Sequence, residues 1–135
     1  MKSKFIPLFA CLIFASTASL ADGQKTYNSL CVACHGNGNL GAPTIGNKDK
    51  WVSRIAEGQS RLIGRAYAGM GAMPPKGGNP NLSLTEFAGA ATYMANEAGA
   101  NWATPNAEML EKINEIYQRR VQTLALSEGN MGNRR

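Results

Sequence analysis

The sequence is poor in the residues that hold metal ions or build disulfide scaffolds. It has three cysteines and one histidine in 135 residues. That is too few for a zinc site of four Cys/His ligands and far too few for a disulfide-dense domain. Long apolar runs are missing as well. None reaches the ~18 residues a membrane-spanning helix needs, which excludes a polytopic membrane protein. Charged residues make up 17% of the chain against 44% hydrophobic ones, the balance of a globular protein rather than a disordered one. The length suits one domain and little more, and 15 glycines predict long loops.

The first 21 residues read as an export signal. Lys2 and Lys4 open the chain, residues 5–15 (FIPLFACLIFA) form an apolar core, and Ser19-Leu20-Ala21 places small residues at the minus-three and minus-one positions of a cut after Ala21. The short apolar run favours cleavage over an uncleaved anchor. Cys11 lies too early in that run for a lipoprotein site. Cleavage takes two of the 14 basic residues, leaving 12 against nine acids and a net charge of +3. So mild a charge points to neither nucleic acid nor an anionic membrane. The expected location is the periplasm, with the protein soluble after cleavage and without a membrane span.

Cleavage also removes Cys11, so Cys31 and Cys34 are the only thiols left in an oxidising compartment. They stand in Cys31-Val32-Ala33-Cys34-His35, the attachment pattern of c-type haem. Two thiols at i and i+3 can add to the two haem vinyl groups as thioethers, and the adjacent imidazole is then carried under the iron. A thioredoxin-like redox pair would sit in a βαβ context, and no strand pattern flanks the motif. Half a zinc site would need further ligands, and His35 is the only histidine. The expected cofactor is one covalently bound haem c.

A single histidine excludes bis-histidine ligation. The sixth position falls to methionine, another side chain, water or an outside molecule. Met94 and Met109 occupy apolar spacings on predicted helices, and Met131 sits in a polar tail. Met70 and Met73 lie in residues 67–78 (YAGMGAMPPKGG), a Gly/Pro loop able to approach a haem face closely. Met73 is the preferred ligand, because Pro74 and Pro75 stiffen the backbone after it. Met70 is expected to be a helix-end packing residue. The alternative is that both methionines pack and the distal site stays open.

The rest of the pattern is helical. Asp22 is expected to cap a first helix towards Cys31. Residues 36–46 form a loop around Pro43, 47–57 a helix, and Ser60 caps another to about Ala68. Ser83-Leu84-Thr85-Glu86 is a capping box opening a helix with Phe87, Ala90, Ala91 and Met94 on one face. No alternating strand pattern occurs, so the fold class is all-α.

This order resembles a class I c-type cytochrome. Gly41-Ala42-Pro43, Trp51-x-x-Arg54 and Gly71-Ala-Met-Pro-Pro-Lys-Gly-Gly78 are most similar to the bacterial cytochrome c-five subgroup. The resemblance covers residues 22–98 and implies a class I fold around one covalent haem. It implies Met73 as distal ligand, with the Pro43 carbonyl accepting a hydrogen bond from His35. Gly23 and Tyr27 would cross the terminal helix near Tyr93. Trp51 and Arg54 would lie near the haem propionates, against the plainer readings of core packing and a solvated charge. Many members carry an extra cysteine pair as a disulfide, which this chain lacks.

The expected domains are a leader (1–21), a haem domain (22–99) and an extension (100–135). In the extension Thr104 caps and Pro105 starts a helix over about 105–126, followed by a flexible tail. Met109, Leu110, Ile113, Ile116, Tyr117, Val121 and Leu124 form its apolar stripe. Glu108–Lys112 and Glu115–Arg119 are i,i+4 pairs. The stripe suits packing on the haem domain or contact with a partner or a second copy. No nucleophile–base pair is present, so an enzyme is not expected. The leading expectation is an electron carrier docking transiently with redox proteins as donor and acceptor. The alternatives are a dedicated haem subunit of a periplasmic oxidoreductase complex, and a sensor or peroxidase-like protein with an open distal site.

Overall fold

The computed structural model describes residues 20–132, so the proposed leader lies outside them except for its last two positions. Helix Leu20–Thr26 passes through a π-helical turn, Tyr27–Cys31, into a last turn, Val32–His35; together these are α1 (20–35). Then come α2 (Lys48–Ile55), α3 (Gln59–Tyr67), α4 (Leu84–Glu97) and α5 (Ala107–Gly132). Short 3-10 turns lie at Asn39–Gly41 and Pro75–Gly78. The described residues hold no strand beyond one isolated bridge, Met70 to Met73, and the all-α expectation stands.

One start signal acts as the sequence implies: Ser83 and Glu86 form the reciprocal capping box of α4. Asn47, expected as the first helical residue, instead caps α2, its side chain accepting from Lys50 N at 3.1 Å. Three others differ. Asp22 stands in the first turn of α1 rather than ahead of it; an acid there still suits the positive end of the helix dipole. At α3 the capping position is Gly58, with φ +86, and Ser60 makes no capping bond. Only a residue without Cβ takes that backbone turn cheaply. Asn106, not Thr104, caps α5: its Oδ1 accepts from Met109 N at 2.9 Å, in keeping with the stronger capping preference of Asn over Thr.

Helix α5 also runs on past Leu126 to Gly132. No proline or left-handed C-cap interrupts 127–132, so a tail expected to be flexible continues as helix. Lys112 and Glu108 pair at 2.7 Å, but Glu115 and Arg119 form no ion pair among the described residues. Both partners of the pair that forms are well exposed, so it adds little.

The helices pack through two close crossings. An α-carbon substituent on Gly23 would meet Gly89 O at 2.4 Å; α1 and α4 therefore touch backbone to backbone, with the tilted rings of Tyr27 and Tyr93 in contact one turn on at 5.6 Å between centroids. A substituent on Gly64 would meet Ile113 O at 2.8 Å, and this is where α5 docks on α3. Ile113 is fully buried, and Tyr117 lies 4.9 Å from Tyr67. Two amide side chains bind the connection between α4 and α5. Asn96 donates to and accepts from the Trp102 backbone (2.9 and 2.7 Å), and Gln59 donates to Thr92 Oγ1 and Ala103 O (3.0 and 2.9 Å). The first half of α5 is thus core, whereas Val121, Leu126 and Met131 further along are exposed.

Ile113→Ala should therefore destabilise the whole protein by about 2–5 kcal/mol, read from the midpoint of urea unfolding followed by circular dichroism. A change near zero would show that α5 is not part of the core.

Candidate functional site

One apolar cleft runs between these helices, with a cavity volume of about 240 Å³. Every site residue expected from the sequence lines it. Cys31, Cys34 and His35 come from the end of α1, Pro43 from the following loop, Trp51 and Arg54 from α2, and Met73 from the loop after α3.

The π-helical turn ends on the first of the thiols, Cys31. An extra residue in one turn offsets the side chains after it from those before it. Tyr27 can thereby stay buried against α4 while Cys31, Cys34 and His35 face the cleft. The thiols are not bonded to each other. Burial pushes the Cys31 thiol up to about 11, with the neighbouring Cys34 adding to the rise. A redox-active Cys-x-x-Cys pair has the opposite property, a depressed thiol pKa.

His35 is 8% exposed, and its Nδ1 donates to Pro43 O at 2.9 Å. A carbonyl can only accept, so Nδ1 carries the ring proton and Nε2 carries the lone pair that a metal needs. Ile45 N closes the loop onto His35 O at 2.8 Å. Trp51 is 4% exposed and its ring centroid lies 6.4 Å from that of His35. Its indole Nε1 donates to Thr44 O at 2.9 Å. That N–H is the only donor an indole has, and the bond to Thr44 O takes it, so Trp51 faces the cleft with its ring. Arg54 donates from Nη1 to Lys50 O and keeps further N–H donors for an acidic group at the cleft.

Met70 is not the helix-end residue the sequence suggested. Met70 and Met73 exchange two backbone hydrogen bonds, N to O at 3.0 and 2.9 Å, and form a two-residue hairpin. Gly71, at φ +56, occupies its first central position, as glycine does in a type II′ turn. Both methionines line the cleft, but Met73 also packs on the buried cluster of Tyr67 and Phe87. Its backbone is fixed by the hairpin on one side and by Pro74 and the turn Pro75–Gly78 on the other.

The apolar lining was less visible in the sequence. Leu62 and Ala66 of α3 and Phe87, Ala91 and Met94 of α4 face the cleft. The small residues among them, Ala66 and Ala91, each follow a large one by four positions and leave room for a broad flat ligand. Two thiols at i and i+3, an imidazole with its metal-binding nitrogen set free and a thioether, all on one apolar cleft, are the donor set that a covalently held haem requires. No cluster of three or more His, Cys, Asp or Glu able to hold a metal ion exists among the described residues.

Comparison with known proteins agrees. Residues 18–94 match the family described as cytochrome c oxidase, cbb3-type, subunit III. The chain is 38% identical over 82 residues to cytochrome c-555 of Chlorobaculum tepidum, covering 58% of this chain and 76% of the relative. It is 40% identical over 66 residues to cytochrome c5 of Ectopseudomonas mendocina, covering 44% and 76%. A solved structure described as an electron transfer complex of nitrite reductase with cytochrome c contains a chain 38% identical, with a TM-score of 0.54; the match covers 57% of this chain and 94% of that one. The chain belongs to the cytochrome c family, as a class I c-type cytochrome with the all-α fold of that class. Its cofactor is one covalently attached haem c.

Because the cleft lining is also much of the core, a chain without covalent haem cannot close its interior, and small domains have little apolar area to spare. Cys31→Ala/Cys34→Ala should lose much of its far-ultraviolet helical signal; near-native helicity would show that the helices assemble unaided.

Proposed function

We propose that this protein is a single-haem electron carrier, in which His35 and Met73 would hold the iron and Cys31 and Cys34 would carry the thioether links. The observation that carries this reading is the convergence of all four side chains on one apolar cleft. The haem iron, when bound, takes up and gives back one electron. The chain's residues do the rest. Cys31 and Cys34 fix the group in place, and Pro43 holds the imidazole in the tautomer that presents Nε2. Orienting a ligand through its second nitrogen also raises its basicity. The hairpin holds the Met73 sulfur, which favours the reduced state and raises the potential. The lining of α3 and α4 keeps water from the cleft. With His35 and Met73 both holding the iron, no position would remain for a substrate, which supports a carrier and not an enzyme.

The similar cytochrome solved with nitrite reductase supports transient docking on redox proteins as donor and acceptor. No helix among the described residues is long and apolar enough to cross a membrane. The leader-like residues 1–21 support a periplasmic location. We propose the boundaries 22–99 for the haem domain and 100–135 for the extension. The exposed apolar residues on the far half of α5 favour a second reading, a haem subunit of an oxidoreductase complex; size exclusion of a native extract separates the two by apparent mass.

Two results test the leading reading. After denaturing electrophoresis, haem-peroxidase staining should mark a band at the mature mass, and the Cys31→Ala/Cys34→Ala chain should be colourless. Met73→Ala should abolish the near-infrared band of Fe(III)–Met ligation and lower the potential, because water or a harder ligand replaces sulfur. Met70→Ala should keep the band. Loss of the band in the Met70 variant alone would reverse the assignment. A wild-type protein whose reduced Soret band shifts strongly under carbon monoxide would have an open distal site.

A further inference from the structure

Three consecutive residues of the loop between α1 and α2 have their backbone groups engaged in three different ways. Pro43 O accepts from the His35 ring at 2.9 Å, Thr44 O accepts from the Trp51 indole at 2.9 Å, and Ile45 N donates to His35 O at 2.8 Å. Thr44 O and Ile45 N–H belong to one planar peptide unit, held on one edge by the Trp51 indole and on the other by His35 O. Only φ and ψ of Thr44 separate that unit from the one carrying the Pro43 carbonyl, so holding it limits how far that carbonyl can swing. The indole bond is the half of this hold that does not come from His35 itself. It is made by a residue 4% exposed, on a different element from His35, and it therefore ties the loop to α2. A buried indole N–H that lost its acceptor would pay its full desolvation cost, so the bond is held against opening.

We propose that Trp51 is a positioning residue for the proximal ligand. Through its N–H it holds the 43–45 backbone so that the Pro43 carbonyl stays on His35 Nδ1. This rests on the reading of His35 as an iron ligand. It assigns the indole N–H to the loop, not to any acidic group of the cofactor.

The test is hydrogen exchange, followed by nuclear magnetic resonance in the reduced, diamagnetic holoprotein. In the wild type the Trp51 Nε1 proton and the His35 Nδ1 proton should exchange with matching protection, because one opening of the loop releases both. Trp51→Phe keeps a ring in the core and removes the N–H; exchange of the His35 Nδ1 proton should rise roughly three- to tenfold, the effect of one net hydrogen bond. Trp51→Leu should raise it by a similar factor while lowering the melting temperature further. An indole proton that exchanges far faster than the His35 proton in the wild type overturns the proposal without any variant. So does unchanged exchange in Trp51→Phe, or acceleration that follows the loss of thermal stability instead of the loss of the N–H. A wild-type spectrum lacking strongly ring-current-shifted His35 signals overturns the ligand reading itself, and the proposal with it.

Discussion

The hydrogen bond from His35 Nδ1 to the Pro43 carbonyl sets the direction of the only imidazole in the chain. With no second histidine to substitute, the loop of 36–46 has to return its backbone to within 2.9 Å of a ring at the end of α1. It does so through a left-handed Gly38, a 3-10 turn at Asn39–Gly41 with Leu40 at φ +52, and the proline itself. Leu40 is a bulky residue in a region L-residues avoid, and it is 74% exposed at the cleft mouth. Such a conformation persists only where the surroundings over-determine it, and here the bonds from Gly41 N to Gly38 O and from Ala42 N to Asn39 O close the turn around it.

The remaining helices serve the cleft. Five of its apolar lining residues come from α3 and α4, whose outer faces are held by partners distant in sequence: α1 through the Gly23–Gly89 contact, and α5 through Gly64, Ile113 and the tilted ring pair of Tyr67 and Tyr117. Tyr67 joins the two regions. Its hydroxyl donates to Leu82 O at 2.8 Å, and its ring packs on Phe87, which lines the cleft, and on Tyr117 of α5. The first half of the C-terminal extension therefore buttresses the site from behind.

What the sequence made legible is what depends on neighbours in the chain. Cys-x-x-Cys-His can be read because the chemistry needs those residues contiguous, and the Ser83–Glu86 box because both its bonds span three residues. The family resemblance brought Pro43 and Gly23 into view. The π-helical turn at Tyr27–Cys31 had no local signal: it follows from packing Tyr27 against α4 while the thiols face the cleft. The indole acceptor of Trp51 was hidden for the same reason, since the Thr44 carbonyl is fixed only once the loop has closed on His35. Asn106 displaced Thr104 as a cap because the Trp102 backbone is bound by Asn96, which delays the start of α5. Met70 was misread as a helix end because a hairpin two residues wide leaves no periodicity.

The central claim is that a nitrogen from His35 and a sulfur from the Met73 hairpin hold the iron in both oxidation states, in a cleft that excludes water. X-ray absorption at the iron edge of the purified protein tests it most directly. The account predicts one sulfur scatterer beside five nitrogens, with nearly the same shell in the oxidised and reduced protein, since a rigid hairpin and a pinned imidazole leave the ligands little room to move. A first shell containing oxygen instead of sulfur, or a sulfur present in one oxidation state and absent in the other, would contradict it.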